Sequence, residues 1–185
     1  MAGKTEEGEQ FWQEYCAKHG RDPESREQIG ATEFVRCAGN KYSPLVLLQF
    51  CEPPKDALTI ASLAALMAAH RVVRFAGDDY REVCYDALQA CSKYLRGHLS
   101  QDDAHNCAAK AIMWRLSYSR WEDRAIQCIV REACRAATNR AAWAAAEAGN
   151  TAGCFDTYKT KLPGEEYQRQ LQDVLELINE YNTKS

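Results

Sequence analysis

The chain has 185 residues, of which 46% are apolar and 26% are charged, a composition typical of one folded domain and not of a disordered or fibrous segment. Its 23 basic and 26 acidic residues give a formal net charge of −3. This balance excludes a strongly cationic nucleic-acid module, and it is too small for a polyanionic mimic of DNA. Net charge therefore identifies no class of partner.

The first 56 residues predict short helices and turns. A helix is expected from Glu6 to Lys18 and ends at Gly20, and Asp22-Pro23 provides the cap and first turn of a second short helix. One more helical turn is expected from Thr32 to Cys37. Ser43-Pro44 then opens a short apolar helix that ends before the next prolines.

From residue 57 onward alanine is frequent, and proline is absent until Pro163. Alanine has the highest helix propensity, and its small side chain lets helices approach closely. We therefore expect an all-α, single-domain bundle of about seven or eight helices with an alanine-rich centre, spanning residues 1–185, with the alanine-rich helices in 57–185. The expected helices are Asp56 to Phe75, one capped by Asp78 through Arg96, one from Ser100 to about Leu116, a long helix from Trp121 to Ala148 closed by Gly149, and a last one from Pro163.

Two of these helices carry a continuous apolar stripe at helical spacing. The first stripe comprises Tyr80, Cys84, Ala87, Leu88, Cys91 and Leu95, and the second comprises Tyr167, Leu171, Val174, Leu175, Ile178 and Tyr181. We expect the last helix to pack across an alanine-rich pair near residues 100–148 at the centre of the bundle. No run of β-branched residues alternates with polar ones, so no strand is predicted.

The nine cysteines favour reduced thiols in a cytosolic protein. Their number is odd, no two are spaced as CxxC, and a domain of this length needs no disulfide to be stable. The first ten residues are polar and rich in Glu, which does not match a secretory signal. The longest apolar stretch, Ala57 to Ala69, is too short to span a bilayer and predicts a buried helix, so no membrane association is expected.

No pattern predicts a catalytic or metal site, and we expect no cofactor. His105 and Cys107 lie two apart on one predicted helix, where their side chains point in nearly opposite directions. The acidic pairs Asp78-Asp79, Asp102-Asp103 and Glu122-Asp123 all fall in first helical turns, where they complement the helix dipole. Phosphate-cradle, dinucleotide, serine-hydrolase and zincin motifs are missing from the sequence.

The predicted long helix has an arginine side and an apolar side. Arg120, Arg124, Arg131 and Arg135 fall within about 60° of one another on a helical wheel. The opposite side comprises Ala125, Ile126, Ile129, Ala133, Ala136, Ala137 and Trp143. The arginine side is either a solvated face or a contact for an acidic protein surface or a phosphate backbone. Trp121, beside it, either fills the core or provides an exposed anchor for a partner.

Three segments resemble a family of alanine-rich proteins from bacteria and their phages, some of them described as immunity proteins. The segments are YDALQACSKYLRGHLSQDDAHNCAAKA at 85–111, RAAWAAAEAGN at 140–150 and EYQRQLQDVLELI at 166–178, and the region that contains them, residues 85–178, is about half of the chain. The resemblance implies a cytosolic helical protein of a bacterium, phage or mobile element that acts by binding. Immunity proteins of this kind bind toxins, and phage inhibitors bind defence nucleases, including CRISPR effectors. The resemblance implies no catalytic residue.

These observations favour a non-enzymatic inhibitor that binds a toxin or a host-defence nuclease, as an immunity protein or an anti-CRISPR does. The expected partner-binding residues are Arg120, Arg124, Arg131, Arg135 and Trp121. Two alternatives stay open, namely a nucleic-acid contact through the arginine side and a metal- or thiol-dependent enzyme. An alanine-rich face left exposed would favour a homodimer.

Overall fold

The computed structural model describes residues 6–25, 57–115 and 120–183, and all regular secondary structure in these ranges is helical. The helices are α1 Glu6–His19, α2 Ala57–Val73, α3 Asp78–Leu95, α4 Gln101–Ile112, α5 Trp121–Asn139, α6 Ala142–Thr160 and α7 Glu165–Thr183, with a short 3-10 turn at Pro23–Ser25. The all-α fold class is confirmed, and α2 to α7 pack together as a bundle. The helical turn predicted from Thr32 to Cys37 and the short apolar helix predicted from Ser43-Pro44 lie outside the described residues.

Helix α2 is the centre of the bundle, because α3, α5, α6 and α7 all pack against it. Five of its eleven buried residues are alanines, and the larger Ile60, Val72 and Val73 are fully shielded from solvent. Small side chains at this position let four neighbours approach one helix. None of the helices in the described ranges combines the length and apolar character needed to cross a membrane.

Helices α1 and α3 follow their predicted patterns with one correction. Gly20 has a positive φ of 64° and ends α1, as predicted, and the buried Trp12 indole N–H donates to the Pro23 carbonyl at 2.8 Å. The predicted stripe of α3 is buried except for the half-buried Leu95. Asp78 is not the cap of α3, because Gly77 occupies the extended N-cap position and Asp78 is the first helical residue, paired with Arg81 at 3.3 Å.

Helix α4 starts as predicted but ends four residues early. The Ser100 hydroxyl accepts the Asp103 backbone N–H at 3.1 Å, which is the N-terminal half of a capping box. The helix ends at Ile112 and not at Leu116, which lies outside the described residues. The side-chain amide of Gln127 on α5 donates to the carbonyls of Ala111, Ile112 and Trp114, so the tertiary structure satisfies the groups that a further helical turn would have used.

The long helix predicted from Trp121 to Ala148 is two helices. Arg140 adopts a left-handed conformation with φ 49°, its N–H bonds the Ala136 carbonyl, and α6 folds back antiparallel to α5. Alanine is frequent on both sides of this turn, so helix propensity predicted no break and tertiary packing overrides it. Gly149 does not end a helix either, because it is buried inside α6, which continues to Thr160.

Helix α7 packs against α2 and α6, and this corrects the expectation that it crosses a central pair near residues 100–148. Helix α4 packs mainly against α3 and α5, so it lies at the edge of the bundle. The predicted stripe of α7 is partly right, since Val174 and Ile178 are buried while its other four members are half-buried. The remaining buried positions are occupied by Glu166, Gln170, Asp173 and Leu177.

Arg71 of α2 and Arg74, which directly follows α2, explain why α6 and α7 can bury acidic side chains. The Arg71 guanidinium donates to both oxygens of Glu166, at 2.7 and 2.9 Å, and its Nη1 lies 2.7 Å from Asp173 Oδ2. Arg74 likewise reaches the buried Asp156 of α6 at 3.2 Å. Burial raises the pKa of Asp173 above its ordinary value, although Arg71 acts in the opposite direction. These ion pairs tie α2, α6 and α7 together.

Candidate protein-binding surface

The solvent side of the α5–α6 hairpin brings together most of the predicted partner-binding residues. On α5, Trp121, Arg124, Arg131 and Arg135 are exposed, while the opposite side of the helix, including Ile126, Ile129 and Ala133, is buried. On α6 the exposed residues Trp143, Glu147, Cys154 and Tyr158 follow one another at helical spacing. We call these exposed residues of the two helices the α5–α6 face.

Arg120 lies apart from the other three arginines. It precedes α5 in an extended conformation, with φ −120° and ψ 101°, so the helical wheel does not apply to it. Its guanidinium donates to the Phe75 carbonyl at 3.2 Å and lies 3.7 Å from the Asp123 carboxylate. Asp123 is itself buried and accepts the Gly77 N–H at 3.0 Å. Arg120 therefore contributes to the junction between α5 and the α2–α3 turn.

Arg131 and Arg135 share one buried carboxylate, that of Glu132. Arg131 Nε donates to Glu132 Oε1 at 2.8 Å, and an Arg135 Nη1 lies 4.0 Å from Oε2. The Arg135 guanidinium also lies over the Trp143 ring, 4.8 Å from its centroid. Half of each arginine side chain remains exposed. Two guanidinium groups are thus held in defined positions, and together with the Glu132 carboxylate they carry a net charge of one positive unit.

Exposed aromatic rings occupy both ends of the face. Trp121 is 48% exposed and packs perpendicular to Tyr158, which is 55% exposed, with a centroid separation of 5.0 Å. Of the two predicted placements of Trp121, core filling is therefore wrong, and its ring is exposed. Trp143, predicted on the apolar side of a long helix, is 39% exposed instead, because the break at Arg140 changes its orientation relative to α5.

The exposed charges of this region have mostly one sign. Between residues 120 and 161 six basic residues are exposed, namely Arg120, Arg124, Arg131, Arg135, Arg140 and Lys161. Glu147 is the one exposed acidic residue in this range, since Glu122 is half-buried and Asp123, Glu132 and Asp156 are buried. This part of the sequence contains seven basic and five acidic residues. Because most of the acidic residues are buried, the exposed surface of residues 120–161 is basic.

The cysteines differ in their exposure to solvent. Cys16, Cys84, Cys91 and Cys134 are buried, Cys107 is half-buried, and Cys128 and Cys154 are exposed; Cys37 and Cys51 lie outside the described residues. Burial raises the pKa of the Cys84 thiol to about 11 and raises that of its neighbour Tyr80 as well. A thiol that stays protonated is a poor nucleophile. Within the described ranges no cysteines form a disulfide, and no group of ligand side chains is arranged for a metal ion.

Sequence reasoning missed Glu132, Cys154, Tyr158 and Lys161. The last three follow Gly149, where the sequence predicts the end of the long helix, so the pattern does not place them on it. Had the helix been continued, Trp143, Glu147, Thr151, Cys154 and Tyr158 would have formed one visible stripe. The predicted acidic pairs do lie in the first turns of α3, α4 and α5.

No protein-family model, curated protein or solved structure gives a significant match to this chain.

Proposed function

We propose that this protein is a non-enzymatic, cytosolic inhibitor that binds a toxin or a host-defence nuclease through the α5–α6 face. The observation that carries the proposal is that two exposed tryptophans and an exposed tyrosine lie on the same face as the exposed Arg124, Arg131 and Arg135, and that Glu147 is the single exposed acid between residues 120 and 161. Tryptophan, tyrosine and arginine are the residue types enriched at the centres of protein interfaces. The inhibitory role comes from the resemblance to immunity proteins and phage inhibitors.

The fixed geometry of the face supports a role in recognition. Arg131 and Arg135 are oriented by Glu132, and Trp143 provides a second contact to Arg135. Side chains that are already ordered lose less entropy when a partner binds. The face also lies on two helices packed against the bundle core, which holds the anchors at fixed distances from one another.

The charge of the face indicates which part of a partner it contacts. A basic surface attracts an acidic one and is repelled by the basic groove in which a nuclease binds phosphates. The partner surface we propose is therefore acidic and partly apolar.

The six exposed basic residues also support the alternative of a nucleic-acid contact. Salt distinguishes the two possibilities, because neutralisation of phosphates releases counterions and the affinity then falls steeply with ionic strength. Binding to an acidic, aromatic-containing protein surface depends less on salt because part of the affinity comes from apolar burial.

The test compares three tagged forms of the full chain in a pull-down from cells that express candidate toxins and defence nucleases. The wild type is compared with R131E/R135E, and the matched control is E82K/D86K, which reverses two exposed acids on α3. The captured protein is then purified, and its affinity and activity are measured with each form. Zinc and iron are quantified in the same preparations.

We expect one stoichiometric partner whose activity is lost at a 1:1 ratio, with affinity reduced about tenfold or more by R131E/R135E and unchanged or raised by E82K/D86K. Equal affinity of the wild type and R131E/R135E would overturn the assignment of the face. Capture of nucleic acid alone, released by salt, would favour the alternative contact. Stoichiometric zinc or iron together with a catalysed reaction would favour a metal-dependent enzyme.

A further inference from the structure

An apolar recess lies at one end of the α5–α6 face, between the start of α5 and the last turns of α6. It is lined by Trp121, Ala125, Thr151, Cys154, Phe155 and Tyr158 and has a volume of about 480 Å³. The buried Phe155 ring contacts Trp121 at a centroid distance of 5.9 Å, so the aromatic wall continues into the core. The recess is open to solvent, and its volume falls in the range of clefts that bind small ligands, about 300–1,000 Å³.

The edge of the recess is positively charged. Lys161 lies over the outer Tyr158 ring, with Nζ 4.2 Å from the centroid. Lys159, two residues earlier, lies 3.4 Å from Glu122, whereas Lys161 has no carboxylate within ion-pair distance among the residues that the structure describes. A group that approaches Tyr158 therefore meets an ammonium group whose charge is not locally compensated.

These two properties define the occupant. Given the proposed function, on which this inference rests, we infer that the recess accepts one large apolar side chain from an acidic segment of the partner protein. The aromatic walls enclose the apolar side chain, and Lys161 pairs with a carboxylate next to it in sequence. An apolar anchor surrounded by acids is complementary both to the recess and to its basic surroundings. A basic segment would be repelled, and an acidic segment without the anchor would leave the recess unfilled.

The test uses short peptides of this chemistry as probes. The first is acetyl-Asp-Glu-Phe-Glu-Asp-amide, and two comparison peptides carry Ala in place of Phe or Lys in place of the four acids. Binding to the full-length protein is followed by NMR through the indole N–H signal of Trp121, which is assigned with W121F. We expect a saturable shift of this signal with the first peptide and an affinity about tenfold or more lower for both comparison peptides.

Two variants locate the binding site. T151F places a ring in the recess, and E147F places the same ring one turn away on the exposed stripe of α6, outside the recess. We expect T151F to lose peptide binding and E147F to keep it, since E147F also removes the exposed acid. Equal binding of the Phe and Ala peptides, or wild-type binding by T151F, overturns the inference. A wild-type dimer that T151F converts to a monomer, seen by size-exclusion chromatography, would overturn it in favour of a second copy as occupant.

The proposed function and this inference fail in different ways. If the captured partner binds T151F as tightly as the wild type but binds R131E/R135E weakly, the protein-binding function stands and the recess is not the anchor site. If the peptide binds and no protein partner is captured, the recess assignment stands and the inhibitor function fails.

Discussion

Helices α6 and α7 pack against each other and have 19 residues each, but they bury different kinds of side chain. Helix α6 buries mainly small residues, namely five alanines with Gly149 and Gly153, besides Phe155 and Asp156, and its backbone lies close to α2, α5 and α7. Helix α7 buries long polar side chains, including Glu166 and Gln170, between apolar ones. Close packing of α6 therefore requires small side chains, whereas α7 requires partners for the charges that it buries.

The largest expected effect is on the charged interface of α7. Arg71→Met removes the guanidinium group nearest to the buried Glu166 and Asp173 carboxylates and leaves only the more distant Arg169, 3.8 Å from Glu166, so we expect the free energy of unfolding to fall by about 3–5 kcal/mol. Urea denaturation at neutral pH measures this change. The matched control is Arg96→Met, which breaks the more exposed Arg96–Glu180 pair and should cost less than about 1 kcal/mol. Equal losses for both variants would contradict the assignment of Arg71 as the essential partner.

A smaller effect is expected for Gly153→Ala in α6. Helix propensity alone predicts that this change stabilises the protein by about 0.5–1 kcal/mol. A Cβ at this position would instead overlap the Tyr167 ring of α7, whose hydroxyl donates to the Asn150 carbonyl at 3.4 Å. We expect a net loss of about 1–3 kcal/mol in urea denaturation, because the ring must move.

The double variant Gly153→Ala/Tyr167→Leu checks the cause of that loss. If the ring is responsible, the two changes are non-additive and Gly153→Ala costs much less in the Tyr167→Leu background. Additive losses would show that the α6–α7 interface tolerates the added methyl group and that its closeness is not limiting.

The smallest effect concerns the pH dependence of α7. Burial raises the pKa of Asp173 in the folded protein above its unfolded value, so the folded state favours the protonated carboxyl. The stability that the protonated Asp173 carboxyl contributes to the folded state is fully present below the unfolded pKa, near 3.9, and is lost as the pH rises through the folded pKa. The free energy of unfolding of the wild type relative to Asp173→Asn should therefore decrease from about pH 4 upward. If the free energy of unfolding of the wild type relative to Asp173→Asn increases with pH instead, Arg71 lowers the pKa of Asp173 by more than burial raises it.

The sequence predicted much of the fold, for reasons that particular residues make clear. The stripe from Tyr80 to Cys91 is local and periodic, so it could be identified without knowing what packs against it. The Ser100 cap depends on residues only three apart. The turn at Arg140 was not predictable in this way, because Arg140 has no intrinsic preference for a left-handed conformation and only the packing of α6 against α5 stabilises it there.

The same distinction holds for the candidate site. Arg124, Arg131, Arg135 and Trp121 could be grouped on one side of a helix because their spacing is local. Tyr158 lies 37 positions away from Trp121 along the chain, and only the antiparallel return of α6 brings the two rings to 5.0 Å. The basic character of the surface was also hidden, because it follows from the burial of Asp123, Glu132 and Asp156.

Helix propensity and the period of 3.6 residues are enough to predict the helical class, most helix starts and the exposed arginines of α5. They do not predict where the alanine-rich segment reverses, which acids are buried or which aromatic rings meet. These features depend on contacts between residues far apart in the chain. Their free energies come from packing and from the pairing of buried charge, which no local pattern encodes.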